Sequence, residues 1–553
     1  MRFRLLALLA ALALLAACSS DGDTDGAASP TTTATTPTAA PVGSGCDQGA
    51  STDALEVQPV DGVASDRTMT SFDGTEIRLH WFPVAGASAD DPAPTLLMGP
   101  GWSLAGDTKT EGGTLFGALS IEGMWAEGYN VLTWDPRGFG ASGGIASVND
   151  PALEGRDVQR LLDFVAAQPE AQVDDDGDPR AGMVGFSYGG GIQLTVAAID
   201  CRVDAIVPGI AWHSLETSLY KAETVKTGWS KILTSTVPKD RLDPHVVSAA
   251  ESGLRDGSLS EEDRQWFLDR GPGDEAVSKI KAPTLLIGGT VDTLFTLQET
   301  ITVRDLLAEQ GVPVAMLWFC GGHGTCLTDP GDPERVARSS FAWLDRYVKG
   351  DTDAPVLPAI DLVTQTGEQR TADRWPLRET STAFASSGFT PDAPAGLLAL
   401  TPESRSGGSV TGAAAGDPLA GLVSGITPSP ADVAIEVTIP NAGASGMAVG
   451  APTLTMTYSG TLPEGETDGR VFAQLVDTEA GLVLGNQITP VAVVLDGEEH
   501  TLEVPLEVIA HDLSASGPIV LQLVATTTAY AEPNLGGELR VSKVGITLPL
   551  VDL

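Results

Sequence analysis

One corner of this chain constrains its fold more than any other stretch. A short apolar run, Ala181-Gly-Met-Val, meets Gly185-Phe-Ser187-Tyr-Gly189 and passes directly into Gly-Gly-Ile-Gln-Leu-Thr-Val-Ala-Ala, which is able to continue as a helix. A strand that turns into a helix this abruptly puts Ser187 on a strained backbone corner. Small Gly185 and Gly189 avoid the clashes that side chains would cause there, and the serine hydroxyl is pushed into a cleft. The chemistry served by such a nucleophile elbow is acyl transfer to serine followed by hydrolysis.

The spelling alone does not decide, because it occurs twice. Gly140-Ala-Ser142-Gly-Gly144 also fits, but it follows Trp134-Asp-Pro-Arg-Gly-Phe and opens no helix directly, so Ser142 reads as a loop residue. A catalytic serine further requires a base and an orienting acid, placed later at strand ends in the order Ser, Asp, His. The run Ala282-Pro-Thr-Leu-Leu-Ile-Gly-Gly-Thr-Val delivers Asp292 into a loop before a helical stretch from Leu297, and Val312 to Phe319 is a second strand run whose loop carries His323. Asp329 is the weaker acid because it follows the histidine, and for Asp292 the bland alternative is a cap on the following helix. Among the six histidines, His80 and His213 lie on or beside other strand runs, His245 in a polar connection, and His500 and His511 in the β-rich tail.

Two cysteines bracket the base as Cys320-x-x-His323-x-x-Cys326, a spacing open to a disulfide or to a metal. The amino terminus bears on the choice. Met1-Arg-Phe-Arg begins a short apolar segment that ends in Leu15-Ala-Ala-Cys18, which reads as a secretory signal resembling the bacterial lipoprotein box, with Cys18 as the acylated residue. The expected location is therefore outside the cell, tethered to the membrane through lipid. With Cys18 set aside, four cysteines remain, suited to an oxidising exterior. A Cys320–Cys326 disulfide is expected to stiffen the histidine loop, with zinc as the alternative, although zinc would occupy the base. Cys46–Cys201 is the remaining pair by elimination, unless both thiols are free and buried. No metal and no cofactor is expected.

The polar, Thr- and Pro-rich segment 19–45 has almost nothing large and apolar to bury and reads as a disordered linker. The whole chain, 553 residues with 42% hydrophobic content, can supply two cores. A net charge of −41 repels phosphates and argues against nucleic-acid binding. From 46 to 352, runs such as Glu76–Phe82, Thr95–Met98, Tyr129–Trp134 and Val203–Pro208 alternate with helical periodicity, as in Leu153–Gln168, implying a mainly parallel sheet covered on both faces. The helix-prone stretch from about 211 to 279 reads as a cap over the strand ends carrying Ser187 and Asp292, with a plain packing layer as the alternative. Trp212, Tyr220 and Trp229 are its candidate pocket aromatics. From 353 to 553, short Val-, Ile- and Thr-rich runs such as 434–439, 453–458, 471–476, 501–506 and 519–524 alternate as the strands of an antiparallel sandwich do.

A developing oxyanion needs two donors. The Tyr188 N–H follows the nucleophile directly, and the loop Gly99-Pro-Gly-Trp102-Ser supplies a second, taken as the Trp102 N–H with Ser103 as the neighbouring alternative.

Gly185-Phe-Ser-Tyr-Gly-Gly, Asp135-Pro-Arg-Gly-Phe-Gly-Ala-Ser-Gly-Gly, the late Asp292 and His323 and the β-rich tail together resemble the X-Pro dipeptidyl-peptidase and cocaine-esterase (CocE/NonD-like) group of α/β-hydrolases. That resemblance implies a C-terminal jelly roll packed on the hydrolase and a triad of Ser187, Asp292 and His323. Well-known members place a tyrosine hydroxyl in the oxyanion hole, which the Gly99–Ser103 loop does not offer. It further implies a small ester or peptide substrate. X-Pro peptidase and carboxylesterase or acylase stand as separate substrate hypotheses, and a non-catalytic surface binding protein on a degenerate hydrolase fold as a reading of another class. The residues give no oligomeric state.

Overall fold

Alternating apolar runs build an eleven-stranded sheet. The computed structural model describes residues 51, 53–114, 116–389, 394–411, 425–439, 446–531 and 535–551. The signal segment, Cys18, the 19–45 linker and Cys46 lie outside them. In spatial order the strands are Val57–Pro59, Asp66–Thr70, Glu76–Phe82, Asn130–Trp134, Thr95–Gly99, Ala181–Phe186, Val203–Gly209, Thr284–Gly289, Val314–Phe319, Ile360–Val363 and Gln369–Ala372. From Asn130–Trp134 to Ile360–Val363 every neighbouring pair is parallel, and antiparallel strands close both edges.

Neighbouring residues of each buried strand face opposite layers, as a two-residue period requires. Leu97, Met183, Ile206, Leu286 and Met316 pack in one core with the helices Glu154–Ala166, Tyr188–Ile199 and Leu297–Glu309. Leu96, Val184, Val207, Leu285 and Leu317 pack in another with Ile121–Ala126 and Arg335–Tyr347. The expected α/β-hydrolase layering is thus present.

One expected boundary is displaced. The sequence reading ends the sheet domain at 352, yet Ile360–Val363 pairs parallel with Val314–Phe319, and Gln369–Ala372 pairs antiparallel beyond it. Helical periodicity does fade near Pro355, but the next two strands are the sheet's own edge rather than a new domain. The antiparallel region begins with the strand Glu379–Gly388. It forms a seven-stranded sheet organised on the long strand Glu538–Val551 and a five-stranded sheet organised on Asp468–Asp477 and Ile519–Val524. Their inner faces share one apolar core that includes Leu454, Ile546, Leu475 and Leu521.

Between Val203–Gly209 and Thr284–Gly289 lie five α-helices: Leu215–Leu219, Thr227–Ser235, Pro244–Asp256, Glu261–Leu268 and Gly273–Val277. Ser214, Asp243 and Ser260 cap three of them through side-chain oxygens. None of the described helices is long and apolar enough to cross a membrane.

The elbow helix lies so close to the Thr95–Gly99 strand that a Cβ on Gly189 would stand 2.1 Å from the Gly99 carbonyl oxygen. Neither backbone can yield without moving the sheet. Gly189→Ala is therefore expected to destabilise the protein by about 1–3 kcal/mol, as overpacking does, read as a lower urea midpoint at unchanged slope; an unchanged midpoint would remove this contact from the account of the fold.

Candidate active site

Ser187 sits between the Ala181–Phe186 strand and the Tyr188–Ile199 helix at φ 56° and ψ −117°, a backbone conformation that a residue with a side chain rarely adopts. The corner is held from several sides. The Ser187 N–H donates to Gly209 O at 2.8 Å. Gln193, one turn along the helix, donates to the carbonyls of Gly185 and Gly189 and accepts from Val207 N. Gly185 has φ +148°, and a Cβ there would stand 2.6 Å from Gly99 O, so glycine is needed for conformation and space together.

Asp292 and His323, expected from the sequence as acid and base, lie on the loops that follow the strands Thr284–Gly289 and Val314–Phe319. Asp292 is fully buried. Its Oδ1 accepts the N–H groups of Leu294 and Phe295 at 2.8 Å each. Its Oδ2 accepts His323 N at 2.9 Å and His323 Nδ1 at 2.8 Å. The cap on the helix from Leu297 is Thr296, so Asp292 secures its own turn while orienting the imidazole. Because a carboxylate only accepts, Nδ1 carries the hydrogen and Nε2 is left to accept from the Ser187 hydroxyl at 2.7 Å. Gly322, at φ +115°, lets the histidine loop approach: a Cβ there would come 2.6 Å from Asp292 Cβ. The edges of Trp229 and Phe295 meet the imidazole at 5.6 and 5.2 Å between centroids.

Cys320 and Cys326 are joined as a disulfide, which leaves neither thiolate for a metal. Cys201 is disulfide-bonded as well.

Tyr188 is the first residue of its helix, so its N–H has no intrahelical acceptor and stands beside the serine as an oxyanion donor would. Trp102 packs edge-on against Tyr188 and Phe139 at 5.3 and 5.1 Å, and its Nε1 donates to Leu233 O of the cap at 3.0 Å. Ser187 borders two spaces, and Trp102 and Leu233 line both of them. The larger, about 920 Å³ including its open mouth, is walled mainly by apolar side chains of the cap and hydrolase, among them Trp212, Tyr220, Leu219, Val246, Phe267 and Phe295. The smaller is lined by Leu104, Ile232, Leu233 and Thr236, with His323 on its wall. Trp229, expected in the pocket, is instead fully buried behind His323, its Nε1 donating to Thr293 Oγ1. Helical spacing placed it in the cap but not on which face of the cap.

Five further groups support this geometry, and none of them stands out in the sequence. Gln487, from the antiparallel region, donates to Asp292 O at 2.7 Å. Lys226, buried in the cap, donates to the carbonyls of Thr293 and Leu294 at 3.0 Å each, and burial pushes its ammonium down to about 8. Glu507 bridges Lys221 and Thr296; burial alone would raise its carboxyl, but Lys221 and Lys226 hold it below the usual range. Glu154 accepts from Ser147 N, Asp150 N and the Tyr188 hydroxyl, while Asn149 donates to both Tyr188 oxygens, from its N–H and its side-chain amide.

The other histidines serve elsewhere. His80 bridges Asp66 and Asp135, and His245 pairs with Asp263. Ser142 is a buried turn residue that donates to Asp135 O, while Asp135 accepts Gly106 N and Ala141 N, so the second spelling of the motif is scaffolding for the loop after Gly99.

Burial pushes the Glu154 carboxyl up to about 8, against the Ser147 N–H, with Asp157 and Asp150 adding to the rise. Its folded value lies above its unfolded one, so its stabilising contribution is complete below the ordinary glutamate range and is lost as pH rises through about 8. The native protein should therefore lose urea stability relative to Glu154→Gln between pH 6 and pH 9. A stability difference that stays constant over that window would show that Glu154 does not take up its proton in the folded state.

Residues 73–325, which hold Ser187, Asp292 and His323, match the sequence profile of the X-Pro dipeptidyl-peptidase (S15) family. A CocE/NonD family hydrolase from Staphylococcus aureus aligns with a TM-score of 0.60 at 14% identity, over 88% of this chain and 93% of its own. An α-amino acid ester hydrolase gives 0.62 at 12% identity, over 95% and 100%. An aminopeptidase from a marine-sediment Thaumarchaeota archaeon gives 0.60 at 13%, over 91% and 99%. At such identities the likeness is one of fold. Among curated sequences, a polyketide transferase from a Penicillium species is 29% identical over 145 residues, 26% of this chain and 43% of its own. An uncharacterized protein from Pseudomonas aeruginosa is 32% identical over 100 residues, 17% of this chain and 26% of its own. The match thus spans less than half the length of either curated relative. The chain carries, over residues 73–325, the pattern of the X-Pro dipeptidyl-peptidase (S15) family on the fold of the CocE/NonD hydrolases.

Proposed function

We propose that this chain is an exported, lipid-anchored serine hydrolase that cleaves an ester or amide bond through an acyl-enzyme on Ser187. The observation that carries the reading is the buried hydrogen-bonded series from Ser187 Oγ to His323 Nε2 and from His323 Nδ1 to Asp292. His323 takes the Ser187 proton as Oγ attacks the substrate carbonyl carbon, and Asp292 stabilises the imidazolium that forms. The carbonyl oxygen becomes an oxyanion, facing the Tyr188 N–H and a second donor in the Gly99–Ser103 loop, assigned to Trp102. Collapse of the tetrahedral intermediate breaks the bond to the leaving alcohol or amine, which takes the proton from His323. Water then repeats the sequence and releases the acid.

Since His323 lines the smaller space, the leaving group belongs there and the acyl group belongs in the larger one. The basic start, apolar core and Leu15-Ala-Ala-Cys18 of the amino terminus support export and acylation at Cys18. The 19–45 segment would then hold the folded part away from the membrane surface.

Labelling of the full-length protein with a fluorophosphonate tests the reading. Modification is expected at Ser187 and absent in Ser187→Ala, with turnover of a short-chain nitrophenyl ester falling by roughly four to six orders of magnitude. A folded protein that is neither labelled nor able to hydrolyse the ester is no serine hydrolase, and the surface-binding reading then takes its place.

A further inference from the structure

The family profile is named for enzymes that release dipeptides, whose acyl portion carries a free ammonium, and the two spaces beside Ser187 bear on whether this site accepts one. A cation stripped of water in an apolar cavity needs an anionic partner, and without one the cost is several kcal/mol. Among the described residues, the large cavity presents one carboxylate, Glu216. It is already engaged: Arg264 Nε donates to its Oε1 at 2.5 Å, and the same guanidinium reaches Glu261 at 3.0 Å. Arg264 itself lines the cavity, and so does Lys226. The ammonium of Lys226 has two carbonyl partners and remains mostly charged at pH 7. The charged groups on that wall are thus one anion and two cations. The smaller space, on the side of His323, presents no carboxylate among the described residues.

Resting on Ser187 as nucleophile, we infer that the acyl pocket excludes substrates with a free ammonium and selects neutral, apolar acyl groups, and that Arg264, by occupying Glu216, is the residue that sets this choice. The rest of the wall agrees. Trp212, Leu219, Val246, Phe267 and Phe295 offer an acyl chain apolar contact, and none of them supplies an ammonium with a carboxylate or a hydrogen-bond-accepting side chain to replace its lost water. The site is therefore expected to act on the esters or amides of apolar acids rather than as a dipeptidyl-peptidase. The reason is a neutralised carboxylate rather than a missing one.

The test compares two nitrophenyl esters of equal chain length, hexanoate and 6-aminohexanoate, with the full-length protein and with Ser187→Ala as background. The native protein should favour the neutral ester in kcat/KM by about tenfold or more. Arg264→Gln frees Glu216 and should narrow that ratio by about tenfold, chiefly through KM for the cationic ester. Adding Glu216→Gln to Arg264→Gln should restore the preference, which a merely structural role for Arg264 would not do. Turnover of the neutral ester by each variant reports that its site is assembled. Equal use of the two esters by the native protein, or a ratio that Arg264→Gln leaves unchanged, overturns the inference while Ser187-dependent turnover still upholds the hydrolase reading. Failure of both esters, together with failure of fluorophosphonate labelling, overturns the hydrolase reading and this inference with it.

Discussion

A carboxylate with no access to water must have its lone pairs engaged, and the way Asp292 meets that demand fixes the rest of the site. Two backbone N–H groups of its own turn hold one oxygen, and the backbone and ring of His323 hold the other. Its carbonyl oxygen is taken by Gln487 from the antiparallel region, and the next two carbonyls, of Thr293 and Leu294, are taken by Lys226 from the cap. Lys226 in turn is a buried cation, stabilised by the charge of Glu507 on the antiparallel side. Acid loop, histidine loop, cap and sandwich are thus joined by groups that cannot lose a partner without leaving a buried charge or dipole exposed to an apolar interior.

The parts of this arrangement legible in the sequence are those written in local grammar. Ser187, Asp292 and His323 each follow an apolar run that ends in glycine, and the spacing of such runs is enough to place them at the same edge of a parallel sheet. The same grammar is blind to contacts made across hundreds of residues. Gln487 is one polar residue in a β-rich tail, Lys226 one lysine in a cap, and Glu154 an ordinary acid in the first turn of a helix; only the assembled fold buries them against the acid turn and Tyr188. The misplaced boundary at 352 has a related cause. A strand as short as Ile360–Val363 has no periodicity to separate it from the tail beyond it. Trp229 shows the limit from the other side: its residue type and position suit a pocket, but a Thr293 partner and the face of the cap helix turn it inward against His323.

The corner that carries the serine is strained, and the strain is shared. Ser187, Val148 and Asn149 all have positive φ without being glycine, each at a cost of about 1–3 kcal/mol. Asn149 repays its own conformation by clasping Tyr188 through backbone and side chain, and Glu154 closes the same network from below. These hydrogen bonds are consumed in holding Tyr188, whose N–H stands beside Ser187 at the start of the helix.

Specificity is distributed accordingly. Since the elbow, the Asp292 turn and the histidine loop use their polar groups on one another, the wall of the large cavity beside Ser187 is apolar apart from what the cap displays. Proteins named as an aminopeptidase and as an ester hydrolase share this fold at 13% and 12% identity, so the fold by itself does not choose among acyl groups. In this chain the charged members of the wall, Glu216, Lys226 and Arg264, all come from the cap helices or the turn between them. A change of a single charge there can alter which acyl groups enter while leaving the sheet, the elbow and the Ser187–His323–Asp292 geometry in place.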